Sequence, residues 1–264
     1  MKSKLFTIAF AIAILSSCSN DDSSGNNSAT DYLPLANGNY WTYNAVSQAG
    51  TNRDSLYVAN DTVINSVTYK KMKTSAIPFG FYSNSLRNNG LRKESDAIYM
   101  SGAAGLNLGN TLPIDLSLSD FIIFKESATV NQQLSSISGT ITQDFQGYPL
   151  TIDYNLKTTA LENVPAFTSD DNNVYADVKK VKITLNIKVT TSVNVSGFNV
   201  PVVLLNPQDV VVSTQYYAKN IGAVYTNTVI SYELQDFSQF GITLPIPQSD
   251  TQIQNEYLST YQVD

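Results

Sequence analysis

The sequence predicts a mainly β domain built on one large, curved antiparallel sheet, a half-barrel or open barrel with few short helices. Three observations carry this. Residues 181–196 alternate with period 2, with Val181, Ile183, Leu185, Ile187, Val189, Thr191, Val193 and Val195 on one face and Lys182, Thr184, Asn186, Lys188, Thr190, Ser192, Asn194 and Ser196 on the other. Turn residues punctuate the chain at short intervals, as in a meander. Aromatic residues with high strand propensity are abundant, 16 Tyr and 11 Phe, and helix signals are sparse.

The elements follow in order. Gly38-Asn39 turns the chain into a strand at Tyr40 to Val46. Asp54 to Ala59 and Thr68 to Thr74 are strands, with Asn60-Asp61 turning into a short strand at Thr62 to Ile64 and Asn65-Ser66 turning again. Leu91 to Lys93 and Ala97 to Met100 pair across Glu94-Ser95-Asp96, and the small residues Gly102 to Gly105 read as a flexible bend. Leu116 to Phe124 fits either class. Ser138 to Phe145 and Leu150 to Thr158 make a hairpin across residues 146–149. The alternation at 181–196 would extend about 50 Å, so it is either one long curved strand or a strand containing a bulge. Turns at Gly197-Phe198-Asn199 and Asn206-Pro207-Gln208 frame a short strand, Val202 to Leu205. Val210 to Ala218 and Ala223 to Leu234 pair across Asn220-Ile221-Gly222, and Asp250 to Tyr257 could form two helical turns. No composition break divides residues 32–264, which predicts a single all-β domain.

Composition excludes much chemistry. With no His and one Cys, His-based triads, His-ligated metals and intrachain disulfides are absent. A net charge of -6, with only 14% charged residues, provides no basic stripe for nucleic acid. No nucleotide-loop pattern is present, and no cofactor is expected.

The N-terminus is a secretory signal: Lys2 and Lys4 precede an apolar run, Leu5 to Leu15, of about 16 Å as a helix, too short to span a bilayer. Leu15-Ser16-Ser17-Cys18 resembles the lipobox of bacterial lipoproteins. That resemblance implies a signal peptide over 1–17, diacylglycerol on the Cys18 thiol and a flexible tether over 18–31, rich in Ser, Asn and Asp. Ser19-Asn20-Asp21-Asp22 resembles the acidic signal that sends Bacteroidota lipoproteins to the cell surface, so the implied location is the outer membrane. Two further phrases, Tyr32-Leu33-Pro34-Leu35 with Gly38-Asn39-Tyr40-Trp41-Thr42-Tyr43, and Tyr217-Ala218-Lys219-Asn220-Ile221-Gly222-Ala223-Val224, resemble the opening and the late hairpin of uncharacterised Bacteroidota outer-membrane lipoproteins. These are loosely similar to the lipoprotein-carrier class, whose half-barrels surround an apolar cavity.

The candidate ligand face is Trp41, Ile183, Leu185, Ile187, Tyr216 and Tyr217. The leading expectation is a lipid-anchored, noncatalytic envelope protein that binds a lipid or a surface glycan on its curved sheet. An apolar cavity beneath Ile183, Leu185 and Ile187 would favour lipid; a solid core with an exposed aromatic strip would favour glycan or protein. A second expectation is an assembly subunit of an envelope complex, docking through its sheet edge or Gly241 to Pro247. The third is a carboxylate-dependent hydrolase drawing on Asp115, Asp120, Asp144, Asp153 and Glu162. Asp170-Asp171-Asn172-Asn173 offers oxygen ligands without the spacing of a calcium loop. Lys180, Lys182 and Lys188 read as charge on a solvated sheet face.

Overall fold

The computed structural model describes residues 31–108, 112–145, 147–170, 172–195, 197–236 and 246–264. Cys18, the stretch 19–30, Asp171 and residues 241–245 of the apolar segment fall outside them. Asp31 already belongs to the folded unit: its backbone bonds Asn220, its carboxylate accepts from the Leu33 N–H and pairs with Lys93.

Among the described residues there are thirteen strands and one short helix: β1 Tyr40–Ser47, β2 Gly50–Ile64, β3 Val67–Lys73, α1 Phe81–Leu86, β4 Gly90–Glu94, β5 Ala97–Leu108, β6 Leu112–Lys125, β7 Gln133–Phe145, β8 Tyr148–Ala160, β9 Val164–Thr168, β10 Val174–Val195, β11 Phe198–Ala218, β12 Gly222–Glu233 and β13 Ser249–Gln262. Antiparallel pairing runs β6-β5-β4-β3-β2-β1-β13-β12-β11-β10-β8-β7, and β9 pairs only with the start of β10. The end strands β6 and β7 lie side by side, so the sheet is nearly closed into a barrel. Strand twist accumulated over this many neighbours, together with bulges, curls an open sheet in this way.

The alternation from 181 to 195 belongs to one long strand, β10. Its ladder to β8 runs unbroken from Val181↔Ala160 to Thr191↔Leu150. The irregularities sit in the partner, where β11 carries extra residues opposite Leu185/Asn186, Ile187/Val189 and Val189/Thr190. Asn206-Pro207 is therefore a bulge inside β11 and not a turn; proline lacks the N–H that a regular ladder position needs. Likewise Asn60-Asp61 continues β2 through a register shift, and Gly102 to Gly105 lies within β5, where the Asn89 side chain bonds both backbone groups of Ala103. The stretch 250–257 is strand, not helix. It forms most of β13, held between β1 and β12 along its length.

The interior is filled. Trp41, Tyr43, Leu56, Tyr217, Phe121 and Ile152 are fully buried. Trp41 donates its indole N–H to the Ile221 carbonyl at 2.6 Å, and the Tyr43 hydroxyl donates to the Ala223 carbonyl at 3.0 Å. Gly222 has φ +119°, and a Cβ there would lie 2.9 Å from the Trp41 indole nitrogen, so the β11–β12 turn admits only glycine without strain.

The helix α1 plugs the interior. Tyr82, Ser83 and Leu86 are buried, and the Tyr82 ring stands edge-on to Tyr43 and Tyr217, with centroids 5.6 and 6.5 Å apart. Two carboxylates satisfy the backbone at its start. Asp54 on β2 accepts from the Phe79 and Gly80 N–H groups at 2.9 and 2.6 Å. Glu256 on β13 accepts from the Tyr82 and Ser83 N–H groups at 2.5 and 3.2 Å and from the Ser83 hydroxyl at 2.8 Å. A Cβ on Gly80 would fall 2.1 Å from the Glu256 carboxyl carbon, so the backbone approaches this close only as glycine.

Candidate functional site

The sequence-predicted face does not assemble into one surface. Ile183 and Leu185 meet Phe81, Ile114, Leu116, Leu156 and Val211 around a void of about 30 Å³. That holds about one water molecule and no lipid chain. Ile187 is buried in the same inward row. Trp41 and Tyr217 belong to the filled core near the β11–β12 turn, and Tyr216, one residue from Tyr217, points to the outer wall.

On that wall the register aligns a row of side chains across six strands: Lys180↔Tyr216, Tyr216↔Tyr225, Tyr225↔Tyr257, Tyr257↔Asn44 and Asn44↔Arg53. Tyr216 and Tyr225 have ring centroids 5.1 Å apart, as do Tyr225 and Tyr257. All three tyrosines are half-buried, their remaining surface open to solvent. Asn255 anchors the middle of the row, its side-chain oxygen accepting from the Tyr225 hydroxyl at 2.8 Å and the Asn227 amide at 2.9 Å. Phe167 of β9 lies over the row, 4.9 Å from Tyr216 and 5.4 Å from Tyr225, nearly parallel to the latter at 19°.

The electrostatics keep Tyr225 and Tyr257 neutral. Burial, then Tyr216 and Asp170, pushes the Tyr225 hydroxyl above its ordinary range. Burial and a hydrogen bond with Asp170 do the same for Tyr257. Both stay protonated donors at any physiological pH. Lys180 is not a solvated charge. It is nine-tenths buried, 5.4 Å from the Tyr216 ring centre and paired with Glu162, whose carboxyl it holds below the usual range.

The carboxylates predicted for hydrolysis are scattered. Asp120 accepts from the Tyr69 hydroxyl at 2.5 Å and from Arg92 at 2.9 Å, and Arg92 holds its carboxyl below the usual range. Asp144 caps the Gly147 N–H, Asp153 accepts from the Thr140 hydroxyl, Glu162 pairs with Lys180, and Asp115 is exposed on β6. The carboxylates brought close are Asp54 and Glu256, which sequence reasoning missed, and their oxygens are spent on the backbone around α1. The described residues hold no cluster of three metal-ligating side chains. An open polar cleft of about 370 Å³ lies between Gln208, Glu233, Asp236 and Gln248, with no aromatic ring among its described lining residues.

No family model, curated protein or solved structure matches this chain.

Proposed function

We propose that this chain is a lipid-anchored, noncatalytic protein of the cell envelope that binds surface glycan on the tyrosine row of its outer wall. The observation that carries this reading is the contiguous, half-exposed row of Tyr216, Tyr225 and Tyr257, flanked by the amides of Asn44, Asn227 and Asn255. Sugars offer an apolar ring face and a rim of hydroxyls, and neutral tyrosines with neighbouring amides answer both. The filled interior speaks for a surface ligand over an enclosed lipid. The anchor rests on the Leu15-Ser16-Ser17-Cys18 pattern. Full-length protein in detergent micelles, titrated by calorimetry with soluble hexasaccharides of glucose, mannose and N-acetylglucosamine, is expected to bind at least one. Tyr225→Ala is expected to lose about tenfold in affinity, at about 1–3 kcal/mol per stacked aromatic. Binding equal in the variant, or none to any probe, overturns the reading.

A specific observation favours one second reading, an assembly subunit. The adjoining tips of the β7–β8 and β10–β11 hairpins expose Tyr148 and Phe198, 56% and 75% accessible, with Val193 and Val200 beside them. They sit at the end of the barrel opposite Asp31, where an anchored chain would present them to a partner. A photo-crosslinker at Phe198 that captures a single envelope protein in cells would favour it.

A further inference from the structure

The seam of the barrel is guarded on one side and open on the other. Among the described residues β6 and β7 join no ladder with each other, so each has a strand partner on one side only. β6 carries features that keep an edge from pairing. Pro113 lacks an N–H, Asp115 is exposed, and Asp120, at φ +49°, sits in a register shift against β5. β7 has no such guard. Residues 133–143 contain no charged residue and no proline, in a chain of net charge -6. The ladder to β8 is unbroken from Ser135↔Thr158 to Phe145↔Tyr148, so the opposite edge of β7 is regular over the same span. Its inward positions are only partly covered: Ile137 and Ile141 pack on the core yet stay half-open, and Gly139 between them is exposed. Such an edge offers backbone N–H and C=O groups, with an apolar strip beside them, to a strand that lies along it.

We propose that β7 pairs with β7 of a second copy of this chain, antiparallel and edge to edge about a two-fold axis at Gly139. The strand is nearly palindromic there, Ser136-Ile137-Ser138-Gly139-Thr140-Ile141-Thr142. Antiparallel pairing about Gly139 sets Ile137 against the partner's Ile141 on the inner face. On the outer face it sets Ser138 against the partner's Thr140 and Ser136 against the partner's Thr142. Apolar side chains meet apolar ones and hydroxyls meet hydroxyls, the cross-strand pairs that stabilise a sheet. A two-fold interface needs one patch that complements itself, and this palindrome does so in register. The hydroxyls are left in matching states by their bonds to β8. Thr140 donates to Asp153 and keeps an acceptor for the partner's Ser138, while Ser136 accepts from Asn155 and keeps a donor for the partner's Thr142. Charge favours the same occupant: two copies of an acidic chain repel, and residues 133–143 can meet without setting like charges opposite each other. The pairing adds a ladder and breaks none, and it is independent of the glycan reading.

The test follows self-association of the full-length protein in detergent micelles by sedimentation equilibrium, with amide exchange as a second readout. Wild type is expected to dimerise, and the amides of residues 136–142 are expected to exchange more slowly in the dimer than after dilution. Ser138→Lys combined with Thr140→Lys sets lysine directly opposite lysine twice across the axis, and is expected to weaken the dimer about tenfold. Ser138→Glu combined with Thr140→Glu does the same with the opposite sign. Both positions are exposed, and thermal unfolding of each variant checks that the barrel still forms. An equimolar mixture of the two variants is expected to recover association, which neither a folding defect nor two chains sharing a micelle would produce. A wild type that stays monomeric, a dimer that both variants leave unchanged, or a mixture that does not recover overturns the proposal. A monomeric chain whose 136–142 amides are slowed by an added alternating Val-Thr peptide assigns the edge to a foreign strand, and overturns it too.

Discussion

Glu256 makes the stability of the barrel depend on pH in a direction opposite to most carboxylates. The side chain is 1% exposed, faces three donors from α1, and feels the charge of Asp54. Burial pushes its carboxyl up to about 7, with the hydrogen bonds from Ser83 and Tyr82 pulling it part of the way back and Asp54 adding to the rise. Between the ordinary value near 4.5 and about 7, the folded chain holds a proton that the unfolded chain has released. Stability therefore falls as pH rises through that window. At about 1.4 kcal/mol per pH unit this amounts to about 3 kcal/mol, or roughly 6–12 °C in Tm for a domain of this size. Asp96, Asp120 and Glu162, all held below their usual range, act in the other direction and lose their contributions only as pH falls through the acid range. Glu256→Gln removes the titration while keeping the shape and one acceptor oxygen. Thermal unfolding followed by circular dichroism at pH 5, 6, 7 and 8 is expected to show wild type losing stability across the series and the glutamine variant staying flat. A variant that keeps the wild-type slope, or a wild type that gains stability from pH 5 to 7, refutes the reasoning.

Two other outcomes follow from geometry and sequence. Gly222→Ala places a Cβ 2.9 Å from the Trp41 indole nitrogen at φ +119°, and is expected to cost about 1–3 kcal/mol in urea unfolding, with a shift in the Trp41 emission. If Cys18 carries the proposed lipid anchor, Cys18→Ser is expected to move the protein from the detergent phase to the aqueous phase in phase partitioning.

What the sequence revealed depended on which face of a strand meets water. In β10 the inward residues are apolar and the outward ones polar, so the alternation is plain. In β13 the inward positions read Asp250, Gln252, Gln254 and Glu256, ending only at Leu258 with an apolar residue, while Ile253 and Tyr257 face out. A strand that carries polar groups to the interior of a barrel hides its own period, and the helical reading of 250–257 followed from that. The bulges of β11 were equally hidden, since Asn206-Pro207 signals a turn wherever it stands. The candidate site was legible only in part. Tyr216 was identified from its alternation with Tyr217, but its alignment with Tyr225 and Tyr257 is a matter of register between strands far apart in sequence. Phe167 had no local signal, because its role depends on a ribbon folding onto a wall built from residues after it.

The pairing of β1 with β13 has a kinetic consequence. The first and last strands are neighbours at the middle of the sheet, joining a half built from β1 to β6 to one built from β7 to β12. Until the last fourteen-residue strand is made, the two halves share no ladder, and both β1 and β12 present bare backbone along one edge. Loop closure across nearly the whole chain must precede the pairing that rewards it, which places this domain among slow folders. A chain still emerging from the ribosome thus cannot join its two half-sheets until β13 is released, and truncation before Ser249 would leave two sticky half-sheets in place of a shortened barrel.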